Sequence, residues 1–176
     1  MPHFDEVTLR FDGSCKPNPG DGGSGYVIFD TNNDKTIIEG HYYVGEKCTN
    51  NVAEYFGLIA GLKHFKNSPY TAGHLNIEGD SELTIQESKL TIDQMTYRTQ
   101  KYRTQGHRLR PLCRRITNLL NKDCRGGQIS ASFSFAHIDR RFNVRANALA
   151  NDARYEENNG SQDLYDDGDE YDNSYK

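Results

Sequence analysis

Residues 7–30, Val7-Thr-Leu-Arg-Phe-Asp-Gly-Ser-Cys-Lys-Pro-Asn-Pro-Gly-Asp-Gly-Gly-Ser-Gly-Tyr-Val-Ile-Phe-Asp30, decide the fold. Val7 to Asp12 alternates apolar and polar residues, the period of a strand. Gly13 to Gly20 is dense in turn residues and reads as a loop. Gly25 to Asp30 is a second strand, Thr31 to Lys35 a hairpin turn, and Thr36 to Val44 a third strand. Three strands on short connections predict an antiparallel meander. Beyond them the period changes. Thr49 or Asn50 can cap a helix whose apolar stripe is Val52, Tyr55, Phe56, Ile59, Leu62 and Phe65, stopped at Asn67-Ser-Pro69. His74 to Glu78 is a fourth strand, and Ser81 begins a short helix to about Lys89. Residues 91–108 are polar and weakly patterned. Arg110 to Leu120 is helical, Ile129 to Ile138 alternates as a fifth strand, and Asn143 caps a last helix. This order predicts an α/β fold: a mixed five-stranded sheet, meander plus parallel strands, flanked by helices.

The chain has 176 residues, enough for one domain or one domain with a tail. No apolar run approaches the ~18 residues of a membrane span, and no basic-then-apolar leader opens the sequence, so an intracellular protein of cytoplasm or nucleus is expected. The four cysteines, Cys15, Cys48, Cys113 and Cys124, form no CxxC pair, which argues against a zinc knuckle or a disulfide framework. The net charge of −4 is unevenly spread. Residues 156–176 hold eight acidic residues and one basic, and read as a disordered tail behind a domain of residues 1–155. Lys89 to Arg115 holds eight basic residues against Asp93 alone, which suggests a polyanion partner.

Three acids stand out. Asp12 ends the first strand, Glu54 lies amid the apolar stripe of the first long helix, and Asp80 follows the fourth strand. Sites in parallel α/β sheets form beyond the carboxyl ends of strands. A first strand beside the fourth would join Asp12 to Asp80, with Glu54 descending from the covering helix. Three carboxylates ~4 Å apart repel by roughly 4 kcal/mol per pair at an effective dielectric of 20. Divalent cations would neutralise them, and hard oxygen ligands select Mg²⁺ or Mn²⁺. A strand-end Asp taken singly is more often a turn or cap residue.

Four motifs carry a resemblance. Phe11-Asp-Gly-Ser-Cys-Lys-Pro-Asn-Pro-Gly20, followed by Gly22-Gly-Ser-Gly-Tyr26, resembles the opening of type 1 ribonuclease H. Thr49-Asn-Asn-Val-Ala-Glu-Tyr55 is similar to its TNNxAE helix start, Gly79-Asp-Ser-Glu-Leu83 to its third motif, and His137 to Ala150 to its closing HxxRxxNxxADxLA motif. The match runs collinearly over about residues 5–155. It implies the ribonuclease H-like fold and endonucleolytic cleavage of the RNA strand of an RNA/DNA hybrid with two Mg²⁺ ions, by a protein expected to be a monomer with no membrane partner. Asp12, Glu54 and Asp80 then fall on metal-binding carboxylates, and His137 on the histidine that aids proton movement or product release. Asn18, Asn50 and Asn51 match positions that contact the hybrid, where amides can read the RNA 2′-OH.

The chain departs from the pattern in three places. The fourth carboxylate position is Asn147, which offers a carbonyl oxygen to a cation but one negative charge fewer. Asp152, about 140° further round the helix, points away and is a poor replacement. Glu82 stands where many relatives carry Gln. The tryptophan of the family's basic protrusion is absent; Lys101 and Arg103, interleaved with Tyr97 and Tyr102, would hold phosphates there. Asn147 leaves open a catalytically impaired hybrid-binding module, and a DNA-strand nuclease of the same fold is a third reading that the asparagine set opposes. The acidic tail is expected to compete with nucleic acid for the basic segment. Truncation after Tyr155 should therefore tighten hybrid binding at low salt and steepen its salt dependence, measured by titration across a salt series.

Overall fold

The computed structural model describes residues 2–97, 109–120 and 129–156, with residues 90–97 described by backbone alone. Lys101, Arg103 and Tyr102 of the expected phosphate-binding segment, and residues 157–176 of the expected tail, lie outside the described residues. The elements run β1 (His3–Lys16), β2 (Gly20–Asp30), β3 (Lys35–Cys48), α1 (Asn50–Asn67), β4 (Thr71–Gly79), α2 (Glu82–Tyr97), α3 (Arg110–Leu120), β5 (Ser130–His137), a 3₁₀ turn (Arg140–Phe142) and α4 (Val144–Ala153). The sheet order is β3-β2-β1-β4-β5. β1–β2 and β2–β3 are antiparallel, and β1–β4 and β4–β5 are parallel. This is the mixed five-stranded sheet that the strand order implies.

β1 does not stop at Asp12. Its parallel rungs with β4 end at Phe11 opposite Gly79, but its antiparallel rungs with β2 continue to Lys16 opposite Asp21. Gly13 to Lys16, read as loop, are therefore strand, as are Gly20 to Ser24. Glycine here serves close packing. A methyl group on Gly25 would sit 2.5 Å from the Ala146 carbonyl oxygen and 2.6 Å from the Ala150 amide nitrogen of α4. One on Gly13 would collide with the Ala53–Glu54 backbone of α1, and one on Gly57 of α1 would stand 2.8 Å from the Asp12 carbonyl oxygen. Gly25 opposes Asp12, so it and Gly13 face opposite sides of the sheet. α1 and α4 thus cover opposite faces.

Thr49 caps α1: its Oγ1 accepts from the Val52 amide. Ser68 ends the helix before Pro69, its amide donating to the Phe65 carbonyl. The whole expected stripe is buried, and Ala53, Leu58 and Ala60 with it, because α1 packs against three strands and also against α3. Each large side chain buried in this way contributes roughly 1.5–3 kcal/mol. Ser81 caps α2, its Oγ accepting from the Thr84 amide. α2 runs to Tyr97 rather than ending near Lys89, since no Gly or Pro interrupts the chain until Gly106. No helix among the described residues is long and apolar enough to cross a membrane.

Gly13→Ala should cost about 2–3 kcal/mol in urea unfolding, because the backbone of α1, rather than a flexible side chain, must give way.

Candidate active site

Asp12 stands one residue past the last β1–β4 rung, Asp80 one residue past the end of β4, and Glu54 in the second turn of α1. Each of the three offers a carboxylate oxygen within 4.8 Å of the other two. The convergence follows from the parallel pairing of β1 with β4 and the close approach of α1 across Gly13 and Gly57. Asp12 and Glu54 are buried at 2% and 4% exposure, while Asp80 is half-buried.

This is an electrostatically costly corner. Asp12 Oδ1 accepts from the Gly13 amide at 2.8 Å. Asp12 Oδ2 and Glu54 Oε2 are buried without a donor. Burial, and then the charge of Asp80, push the Asp12 carboxyl up from 3.8 to about 6. Burial, and then the charge of Asp12, raise Glu54 well above its ordinary 4.5. Orphaned oxygens on clustered acids, with no cysteine or histidine among them, are the donor set of a hard divalent cation. Asp12, Glu54 and Asp80 fit such an ion.

The closing segment surrounds the third acid. His137 Nε2 lies 3.2 Å from the Asp80 carbonyl oxygen, with its ring exposed. Arg140 reaches toward Asp80, Nε to Oδ2 at 3.9 Å, and donates from Nη2 to Asn147 Oδ1 at 3.1 Å. Asn147 Oδ1 also accepts from Asn151 Nδ2 at 3.2 Å. Asn151 Oδ1 in turn accepts from Ser14 Oγ and from Arg154. The amide at the fourth position is thus held in a polar chain, and a guanidinium links it to Asp80. Asp139 accepts from the Arg141 amide at the start of the 3₁₀ turn, and Asp152 is exposed on α4. Neither joins the carboxylate group among the described residues.

Asn143 stands at the start of α4 but makes no side-chain cap. Its buried Nδ2 donates to the Phe11 carbonyl at 2.8 Å and to Asp80 Oδ1 at 3.0 Å, which fixes the third acid against the end of the Asp12 strand. Pattern reading took Asn143 for a cap and gave Arg140 no role; their three-residue spacing inside the closing motif was the available signal.

The asparagines lie on a neighbouring edge. Asn18 is exposed at the β1–β2 turn, and its Oδ1 accepts from the Asn50 amide at 3.2 Å. Asn50 Oδ1 accepts from the Cys15 amide at 3.1 Å. Asn51 is exposed beside them on the first turn of α1. Glu82 accepts from Gln86 at 2.7 Å along α2.

A family model described as RNase H matches residues 5–155. The chain belongs to the ribonuclease H family. It is 31% identical over 150 residues to ribonuclease HI of Halobacterium salinarum, covering 84% of this chain and 63% of that protein. It is 28% identical over 155 residues to the bifunctional protein Rv2228c of Mycobacterium tuberculosis, covering 84% of this chain and 35% of that one. The chain therefore spans about a third of the length of the mycobacterial relative and less than two thirds of the halophilic one. Among solved structures it is similar to RNase H1 of Halobacterium salinarum, with a TM-score of 0.65, 30% identity, and 86% and 98% of the two chains covered. It is also similar to LC11-RNase H1 in complex with an RNA/DNA hybrid, with a TM-score of 0.62, 29% identity, and 85% and 97% covered.

The raised Asp12 and Glu54 set a pH dependence. Between 3.8 and about 6 the folded protein keeps a proton on Asp12 that the unfolded chain has lost. The contribution is therefore fully present below the unfolded value and is lost as pH rises through the folded one. In EDTA, Asp12→Asn should become more stable than the parent as pH rises from 4 to 7, by on the order of 2 kcal/mol. Millimolar Mg²⁺ or Mn²⁺ should restore the parent and leave the variant unchanged, read from melting temperatures.

Proposed function

We propose that this chain hydrolyses the RNA strand of RNA/DNA hybrids endonucleolytically, with divalent cations, Mg²⁺ or Mn²⁺ and two in number, held by Asp12, Glu54, Asp80 and Asn147. The observation that carries the reading is the three-acid cradle, with its donorless oxygens on buried Asp12 and Glu54, in a chain of the ribonuclease H family. Bound there, divalent cations supply charge neutralisation for the scissile phosphate and a water acidic enough to attack it. The protein's own groups do the rest. Asp12 and Glu54 present carboxylates already desolvated, so little water must be stripped from them when substrate arrives. Asn143 and Arg140 hold Asp80 in place. His137, exposed beside Asp80, can carry a proton between the site and solvent.

Asn18, Asn50 and Asn51 form the strand-reading edge, with side-chain amides suited to the 2′-OH and sugar of the RNA strand. LC11-RNase H1, similar over most of this chain, has been solved bound to such a hybrid. Lys101 and Arg103 would add phosphate contacts, and residues 1–155 would suffice as the catalytic domain, acting as a monomer.

One observation favours a second reading, a catalytically impaired hybrid binder. Asn147 carries no charge, and its oxygen already serves Arg140 and Asn151. A cation at this position must compete with those donors.

Purified protein should cut only the RNA strand of a labelled hybrid, with Mg²⁺ or Mn²⁺, and leave double-stranded RNA and duplex DNA intact. Asp80→Asn should lower the rate at least about 10²-fold. An intact hybrid with both metals would exclude the enzyme. Asn147→Asp separates the two readings: little change in rate means the amide suffices, whereas a gain of about tenfold or more means the natural site is crippled.

A further inference from the structure

Cys15 and Cys48 are buried thiols without a disulfide. They come from strands that do not pair with each other: Cys15 of β1 opposes Gly22 of β2, and Cys48 ends β3 opposite Gly20 of the same strand. The two thiols meet over Gly22. A methyl group there would lie 2.5 Å from the Cys48 sulfur and 3.1 Å from the Cys15 sulfur, so both sulfurs border one point above a residue with no side chain to separate them. Neither cysteine has a part in the proposed cleavage. Both are wired to the edge that would read the hybrid: the Cys15 amide donates to Asn50 Oδ1, the Asn50 amide donates to Asn18 Oδ1, and Cys48 precedes Thr49, the cap of α1.

We propose that Cys15 and Cys48 form a peroxide-oxidisable dithiol, whose closure to a disulfide across Gly22 pulls the Cys15–Asn50–Asn18 hydrogen-bond chain out of register and weakens hybrid binding. The binding half rests on the function proposed above; the oxidation does not. Cys15 is the attacking sulfur. The adjoining Cys48 thiol holds Cys15 below its ordinary range, against the opposing effect of burial, while Cys15 and burial raise Cys48, whose Sγ donates to the Thr49 carbonyl at 3.1 Å. The Cys15 thiolate attacks one oxygen of hydrogen peroxide; the O–O bond breaks, leaving Cys15 as the sulfenic acid and releasing hydroxide. The Cys48 sulfur then attacks the Cys15 sulfur. The S–S bond forms, the S–O bond breaks, and the leaving hydroxide takes the Cys48 proton as water. With the proton first lost by Cys15, two thiols give up two electrons and two protons, and one peroxide becomes two waters. A thiol reductant reverses the change. A disulfide of about 2.05 Å requires the two sulfurs, each within 3.1 Å of the same point over Gly22, to move together.

The test is stoichiometric peroxide on the full chain, followed by alkylation, intact mass and non-reducing peptide mapping. The expected result is loss of two hydrogens and a Cys15–Cys48 cross-linked peptide, absent in Cys15→Ser and in Cys48→Ser. Binding of a fluorescent RNA/DNA hybrid, measured in EDTA, should weaken roughly fivefold on oxidation and recover with dithiothreitol. A cross-link at Cys113 or Cys124, or a Cys15 that goes on to the sulfinic acid with no cross-link, would overturn the dithiol. A Cys15–Cys48 bond with unchanged hybrid affinity would overturn the coupling. Reduced protein that binds no hybrid would sink the proposed function and the coupling together, and the mass readout would still decide the dithiol.

Discussion

The constraint on which the molecule turns is the desolvation of two like charges at one corner of the sheet. Asp12 and Glu54 are buried together, lack donors on one oxygen each, and hold protons more tightly than free carboxyls do. A protein gains no stability from such a pair. The surrounding structure enforces it: β1 is locked between β2 and β4, and α1 is pressed onto β1 where Gly13 and Gly57 remove the side chains that would hold it off. The core that buries the stripe of α1 supplies the free energy that keeps this corner closed.

The architecture was readable because its signals are local and repeated. Strand alternation, the change to helical spacing at Val52, and the crossovers after α1 point to a mixed five-stranded sheet with the first strand beside the fourth, and the structure has both. The expected adjacency of the first and fourth strands also brought Asp12 and Asp80 together, with Glu54 above them. Two of the misreadings share a cause: glycine and asparagine have several physical uses. Gly13 and Gly20 read as loop residues, yet they lie in strands; Gly13 admits α1, as Gly25 admits α4 and Gly22 the two thiols. Asn143 reads as a cap, yet its amide is spent on Phe11 and Asp80. The far end of α2 was lost because residues 91–97 carry neither an apolar stripe nor a breaker. No one-dimensional pattern could reveal the bridge from Arg140 to Asn147, which depends on how the 3₁₀ turn folds the chain back.

That bridge alters the meaning of Asn147. On sequence alone the substitution subtracts a charge. In the fold, the amide joins a chain of donors and acceptors running from Ser14 through Asn151 and Arg140 to Asp80. An aspartate would draw Arg140 more strongly, so restoring the acid changes the orientation of a neighbouring cation as well as the charge of the cradle.

Because Arg140 leans on Asp80 from solvent, the cradle carries a tethered counter-ion of its own. A cation that approaches the Asp80 oxygen meets the repulsion of that guanidinium, 3.9 Å from Oδ2. The apparent affinity for an incoming ion is then the attraction of the acids less that repulsion. Added salt, by screening the exposed arginine, weakens the repulsion as well as the attraction.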